Sequence, residues 1–239
     1  MPDLGPQSSD DYTDGMHRVW SVTLVATIAA LLVASPASGQ RRRTPAKKPA
    51  PKAAPGPPKT GTPETQCPSL IGMGVKTIRS FCDVPAGRDP AQGVVLKLPP
   101  HVGPATLSFD LHARHTYSEA QTSSGRGYSR YSAVIGVLTM KGELIQRAAV
   151  QTEFRTAADL FDRIGGGANG GLKAVAPAGH EQIFVTIPAG IDEVSLLGET
   201  LDQITPAGHE TVVMPGRPVA IVSDLLVEYR PVATPAKRN

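Results

Sequence analysis

The sequence predicts an all-β protein: a single antiparallel β-sandwich domain, jelly-roll-like or immunoglobulin-like, with at most one short helix. A signal peptide and a disordered basic, Pro-rich linker precede it. Three observations carry this reading. Short apolar and β-branched runs recur between Gly and Pro punctuation, several of them alternate with period two, and only one segment shows helix-terminus signals.

Residues 1–39 read as a signal peptide. Arg18 supplies a positive start, an apolar run spans residues 19–34, and Ala37-Ser38-Gly39 offers the small residues that a signal peptidase needs. The run is shorter than the roughly 20 residues that span a bilayer. The alternative is an uncleaved anchor facing the periplasm, and only in that form is a membrane a partner. Asp3, Asp10, Asp11 and Asp14 make the first 15 residues acidic, the wrong sign for secretion, so the expected translation start is Met16. The chain's one tryptophan, Trp20, lies inside this segment.

Residues 40–66 hold seven Lys or Arg, seven Pro and one acid, Glu64. With only Ala and Pro as apolar side chains, the stretch has nothing to bury against the entropy of ordering. It is expected to be an extended, polyproline-like tether able to meet acidic envelope surfaces. The folded region, residues 67–239, carries 16 basic and 16 acidic residues. A neutral domain has no electrostatic footprint for nucleic acid.

That region opens with Cys67 and Cys82, an even pair at close spacing in an exported chain, hence an expected disulfide. Closing such a loop is worth about 3 kcal/mol in the chain-entropy view. Two thiols are too few for a metal.

The strands follow in order: 93–99 (GVVLKLP), 105–114 (ATLSFDLHAR), 132–140 (SAVIGVLTM) and 142–155 (GELIQRAAVQTEFR) come first. Then come 172–177 (LKAVAP), 181–188 (EQIFVTIP), 192–199 (DEVSLLGE), 210–215 (ETVVMP) and 217–231 (RPVAIVSDLLVEYRP). In the second run Leu107, Phe109 and Leu111 share one face and Ser108, Asp110 and His112 the other. Lys141-Gly142 suits a tight hairpin turn. In TEFR and VEYR the aromatic points one way and both charges the other. TAADLFDRIG is the expected short helix, with Thr156 as N-cap, Asp159 at the capping-box position and Gly165 as stop.

Four motifs invite chemistry. PAGHE occurs at Pro177–Glu181 and at Pro206–Glu210, but Pro-Ala-Gly also occurs at Pro85 and Pro188 without His. The shared unit is therefore a turn at a strand boundary, not a metal cassette, and neither copy has the second His of a zincin. HARH places His112 and His115 on opposite faces of a strand, where they read as exposed strand-end histidines. GGGANGG, residues 165–171, neither follows a strand nor opens a helix, so it is a flexible loop rather than a dinucleotide fingerprint. No metal or cofactor is expected.

The fourth is HTYSEAQTSSGRGYSRYS, residues 115–132, read as a long loop. Tyr117, Arg126, Tyr128, Arg130 and Tyr131 supply stacking rings and forked donors among adaptable Ser and Gly. These five are the candidate binding residues, with no catalytic residue assigned. The sequence holds no GxSxG, SxxK, HExxH or DxDxDG motif. The expected role is an exported, non-enzymatic module, secreted or periplasmic, that binds a glycan or protein of the envelope. The alternatives are a hydrolase and a structural subunit of an envelope assembly.

Overall fold

The computed structural model describes residues 56–116, 118–165, 174–177 and 180–232. The signal segment, the linker up to residue 55, GGGANGG beyond Gly165, and Tyr117 lie outside them. In chain order the strands are β1 (Lys59–Gly61), β2 (Glu64–Gln66), β3 (Leu70–Gly74), β4 (Ser80–Pro85), β5 (Val94–Lys97), β6 (Ala105–His112), β7 (His115–Thr116) and β8 (Ser129–Thr139). They continue with β9 (Leu144–Phe154), β10 (Leu160–Gly165), β11 (Ala174–Pro177), β12 (Glu181–Ile187), β13 (Glu193–Thr205), β14 (Gly208–Val212) and β15 (Pro218–Tyr229). One α-helix, α1 (Glu119–Ser123), lies between β7 and β8.

Two antiparallel sheets form. The larger runs β12-β6-β15-β4-β3-β10-β11-β7, with β1 added to β15; the smaller runs β2-β5-β13-β8-β9, with β14 added to β13. The alternation in β6 does what period two requires. Ala105, Leu107, Phe109 and Leu111 enter one buried cluster with Ala133, Ile135 and Val137 of β8 and Val194 and Leu196 of β13. Each fully buried Leu, Ile, Val or Phe among them contributes roughly 1.5–3 kcal/mol. Tyr131 of β8 joins the same cluster, and its hydroxyl donates to the Val219 carbonyl of β15 in the other sheet. Gly198 lets the sheets touch: a Cβ there would sit 2.1 Å from Val219 Cγ2. A smaller cluster of Phe81, Ile164 and Ile221, with Phe161 and Ile71 against it, uses the alternate residues of β4 and β15.

Cys67 and Cys82 form the expected disulfide, joining the end of β2 in the small sheet to β4 in the large one. Gly142 N–H donates to the Thr139 carbonyl, closing the β8–β9 hairpin at the expected Lys141-Gly142 turn. Phe154 is buried between exposed Glu153 and Arg155, which pair at 2.8 Å.

Three expectations are corrected. Thr156 and Asp159 do form a capping box, but it caps a single 3-10 turn, Ala157–Asp159. The residues after it extend as β10, paired with β3 and β11, so Gly165 ends a strand and not a helix. The local capping bonds are the same in both structures, and the partners that decide between them are distant in sequence. The boundary at residue 67 also moves: β1 pairs with β15 and β2 with β5, so folding begins within the basic stretch. Backbone ladder bonds hold these two strands, whose side chains stay largely exposed. Finally, residues 115–132 are not a long structureless loop, since β7, α1 and the start of β8 occupy most of them.

Candidate functional site

Between the α1 segment and the β13–β14 hairpin lies a cleft of about 580 Å³. Ser118 caps α1, its hydroxyl accepting from Gln121 N–H, and the chain returns through Arg126 to enter β8 at Ser129. Gln121, Arg126, Tyr128 and Ser129 line this side. Gln203, Thr205, Pro206 and Ala207 line the other. The second PAGHE copy is thus the tip of a hairpin: Thr205 pairs with Gly208 across Pro206-Ala207. It is a turn, as the motif comparison required, with Pro at the second turn position. At Pro188 the same tripeptide works one residue out of step: Ile191 N–H donates to the Pro188 carbonyl and Gly190 takes φ +83°. The first PAGHE turn, at residues 178–179, lies outside the described residues.

Of the five sequence-assigned residues, Arg126 and Tyr128 line the cleft. Arg126 is exposed, with its Nε donating to Ser124 Oγ at 3.2 Å, and the Arg155 guanidinium stands 5.9 Å from the centre of the half-buried Tyr128 ring. Arg130 is exposed on β8 outside the lining. Tyr131 leaves the list: it is wholly buried, and burial raises its phenol's pKa far above the usual range. A tyrosine at a strand start and one two residues inside it look alike in sequence, but the pleat sends the second into the core. Tyr117 lies outside the described residues.

His115, which sequence reasoning set aside, lines the same cleft although it is 2% exposed. Its Nε2 lies 3.0 Å from Thr152 Oγ1, and its ring packs on Tyr131 and Phe154. Its Nδ1 has no protein partner, and burial pushes its pKa down to about 4. Gln203 and Thr205 were missed as well, although the repeated PAGHE marked the turn that presents them.

His112 is also buried, not exposed, on the opposite side of the large sheet. Its Nε2 lies 2.9 Å from Ser223 Oγ, and Phe81, Phe161 and His180 surround its ring. Burial, then the charges of His180 and Arg79, lower its pKa to about 3. Beside it Asp110 pairs with Arg79 at 2.9 Å and with His180 at 3.2 Å. A serine–histidine contact invites comparison with a hydrolase dyad, but Ser223 is 1% exposed and His112 Nδ1 meets no carboxylate. The nucleophile has no path to a substrate and the base has no orienting acid. The second PAGHE histidine, His209, is an exposed partner of Asp202 at 2.8 Å. Among the described residues no group of three or more His, Cys, Asp or Glu is placed to hold a metal ion.

No protein-family model and no curated protein matches this chain. Among solved structures, a chain of the "Structure of infectious bursal disease virus Gt strain" is similar over 80% of this chain and 42% of its own length. The two are 16% identical with a TM-score of 0.22, a likeness that carries no argument.

Proposed function

We propose that this chain is an exported, non-enzymatic β-sandwich module that binds a glycan or protein of the cell envelope in the cleft between α1 and the β13–β14 tip. One observation carries the reading. Arg126 and Tyr128 stand across about 580 Å³ from Gln203 and Thr205, and among the described residues lining the cleft none is a carboxylate. A concave site with a guanidinium, a phenol, two amides and hydroxyls suits a ligand rich in hydroxyls or carboxylates. The Cys67–Cys82 bond supports a secreted or periplasmic location, because disulfides persist in oxidising compartments. The basic linker then serves as tether.

Capture of envelope glycan and protein fractions by the wild type, Arg126→Ala and Tyr128→Ala tests the site. Each variant is expected to weaken capture by about 1–2 kcal/mol, the range for interface anchors, with the melting temperature unchanged. Capture that is indifferent to both substitutions refutes the cleft. Export is tested separately: cleavage after Gly39 removes Trp20, so the mature protein emits only as tyrosine. Tryptophan emission from the protein isolated from its host would favour the anchored form.

A further inference from the structure

The segment between the cysteines forms a hairpin of β3 and β4 whose tip exposes apolar side chains. Val75 is 70% exposed and Ile78 71%, with Met73 and Leu70 also exposed on β3. A solvated tip would carry polar turn formers, with Gly or Asn where φ is positive. Here a β-branched residue occupies that conformation, Ile78 at φ +57°. Such a residue is disfavoured in the left-handed region and persists only when its surroundings hold it.

The surroundings do hold it. The Asp162 carboxylate, 3% exposed, accepts from Lys76 N–H at 2.9 Å, Thr77 N–H at 2.8 Å, Thr77 Oγ1 at 2.5 Å and Arg163 N–H at 2.7 Å. Gly74 makes room for it, since a Cβ there would lie 2.1 Å from Asp162 Oδ2. Ile78 N–H donates to the Gly74 carbonyl and Val75 N–H to the Arg163 carbonyl. The tip is therefore rigid and presents its apolar groups at a cost in stability. Val75 and Lys76 line one depression with Ala157, Leu160, Phe161, Arg163 and the buried Asp162, so the exposed Lys76 stands beside apolar side chains.

We propose that this hairpin docks on an anionic bilayer surface, with Val75 and Ile78 entering the boundary between headgroups and acyl chains and Lys76 meeting lipid phosphate. A few apolar side chains give only weak, reversible membrane binding, and stable binding needs a second signal such as a polybasic stretch. The chain carries one N-terminal to the hairpin: residues 40–66 hold seven Lys or Arg against one acid, six of those cations before β1. Near an anionic surface each such cation adds to the attraction. A protein partner fits less well, because the exposed side chains are aliphatic and protein hot spots favour Trp, Tyr and Arg.

Flotation with vesicles tests this on the mature chain, residues 40–239, purified without detergent. The wild type is expected to float with vesicles of phosphatidylglycerol and phosphatidylcholine and poorly with phosphatidylcholine alone. Val75→Ser combined with Ile78→Asn is expected to cut flotation about tenfold or more. Asn suits positive φ, so this variant should melt no lower than the wild type, which separates lost docking from lost folding. Lys76→Glu, at an exposed position, should reduce binding to the anionic vesicles alone. Wild type that stays with the lipid-free fraction, or a double variant that floats as well as the wild type, overturns the proposal. So does an envelope protein captured through Val75 and Ile78 by a chain that ignores lipid.

Discussion

His115 Nε2 and Thr152 Oγ1 stand 3.0 Å apart, and the bond between them joins β7 of the large sheet to β9 of the small one. On the other side of the large sheet, His112 makes the equivalent buried contact with Ser223. Both rings are neutral in the fold, with pKa values lowered from 6.5 to about 4 for His115 and about 3 for His112. The unfolded chain protonates both near pH 6.5. Their contribution is therefore complete above that pH and falls as the pH drops towards 4, where the unfolded state holds more protons. By pH 4 the expected loss is on the order of 3 kcal/mol for each ring. Thermal melts from neutral pH down to 4 measure it, and His112→Gln and His115→Gln should flatten the slope. A parent melting temperature that ignores pH over this window would refute the burial of both rings.

The Cys67–Cys82 bond closes a separation of 15 residues and ties β2 to β4. Reduction, or Cys67→Ser with Cys82→Ser, is expected to cost about 3 kcal/mol of stability. Non-reducing peptide mass spectrometry checks the linkage, and denaturant unfolding with and without reductant checks the magnitude. Two free thiols in the purified protein would remove the premise.

Two tyrosines three residues apart should behave oppositely. Tyr131→Phe removes the buried hydroxyl that donates to the Val219 carbonyl, at an expected cost of about 1–2 kcal/mol in folding and none in ligand capture. Tyr128→Ala, at the cleft, should do the reverse. Paired measurements of unfolding and capture on the two variants decide it; equal effects on both would contradict the assignment.

Gly198 sits where β13 meets β4 and β15, with Ala86 backbone atoms 3.2 Å and Val219 Cγ2 2.1 Å from the place its Cβ would take. Gly198→Ala must push the sheets apart or displace Val219. The expected cost is about 1–3 kcal/mol, as for overpacking elsewhere. Gly142→Ala serves as a contrast, because that glycine's strain comes from its φ of +82° and nothing lies within 4 Å of its Cβ position. Val219→Ala should rescue the first variant in part and leave the second unchanged.

How much of this was legible in the sequence follows the range of each interaction. The β6 alternation, the Lys141-Gly142 hairpin and the turn character of the second PAGHE rest on neighbours a few residues apart, so composition and period sufficed. The two cysteines were readable because an even pair at close spacing behind an expected signal peptide makes pairing the default expectation. The capping box of Thr156 and Asp159 was equally local and equally visible, yet it decided only one 3-10 turn. Whether residues 160–165 coil or extend depended on β3 and β11 being present to pair with them.

Tertiary structure alone decided the rest, and for one reason: burial depends on what packs opposite. Nothing near His112, His115 or Tyr131 in the chain announces that Phe161, Phe154 and Val219 will cover them. Nothing in a Lys- and Pro-rich tract announces that its last residues will find free backbone groups on β15 and β5. The cleft is the clearest case. Sequence placed Arg126 and Tyr128 on an adaptable segment and Pro206-Ala207 in a turn, but only the packing of β8 against β13 brings the two segments, some 80 residues apart, to face each other across one space.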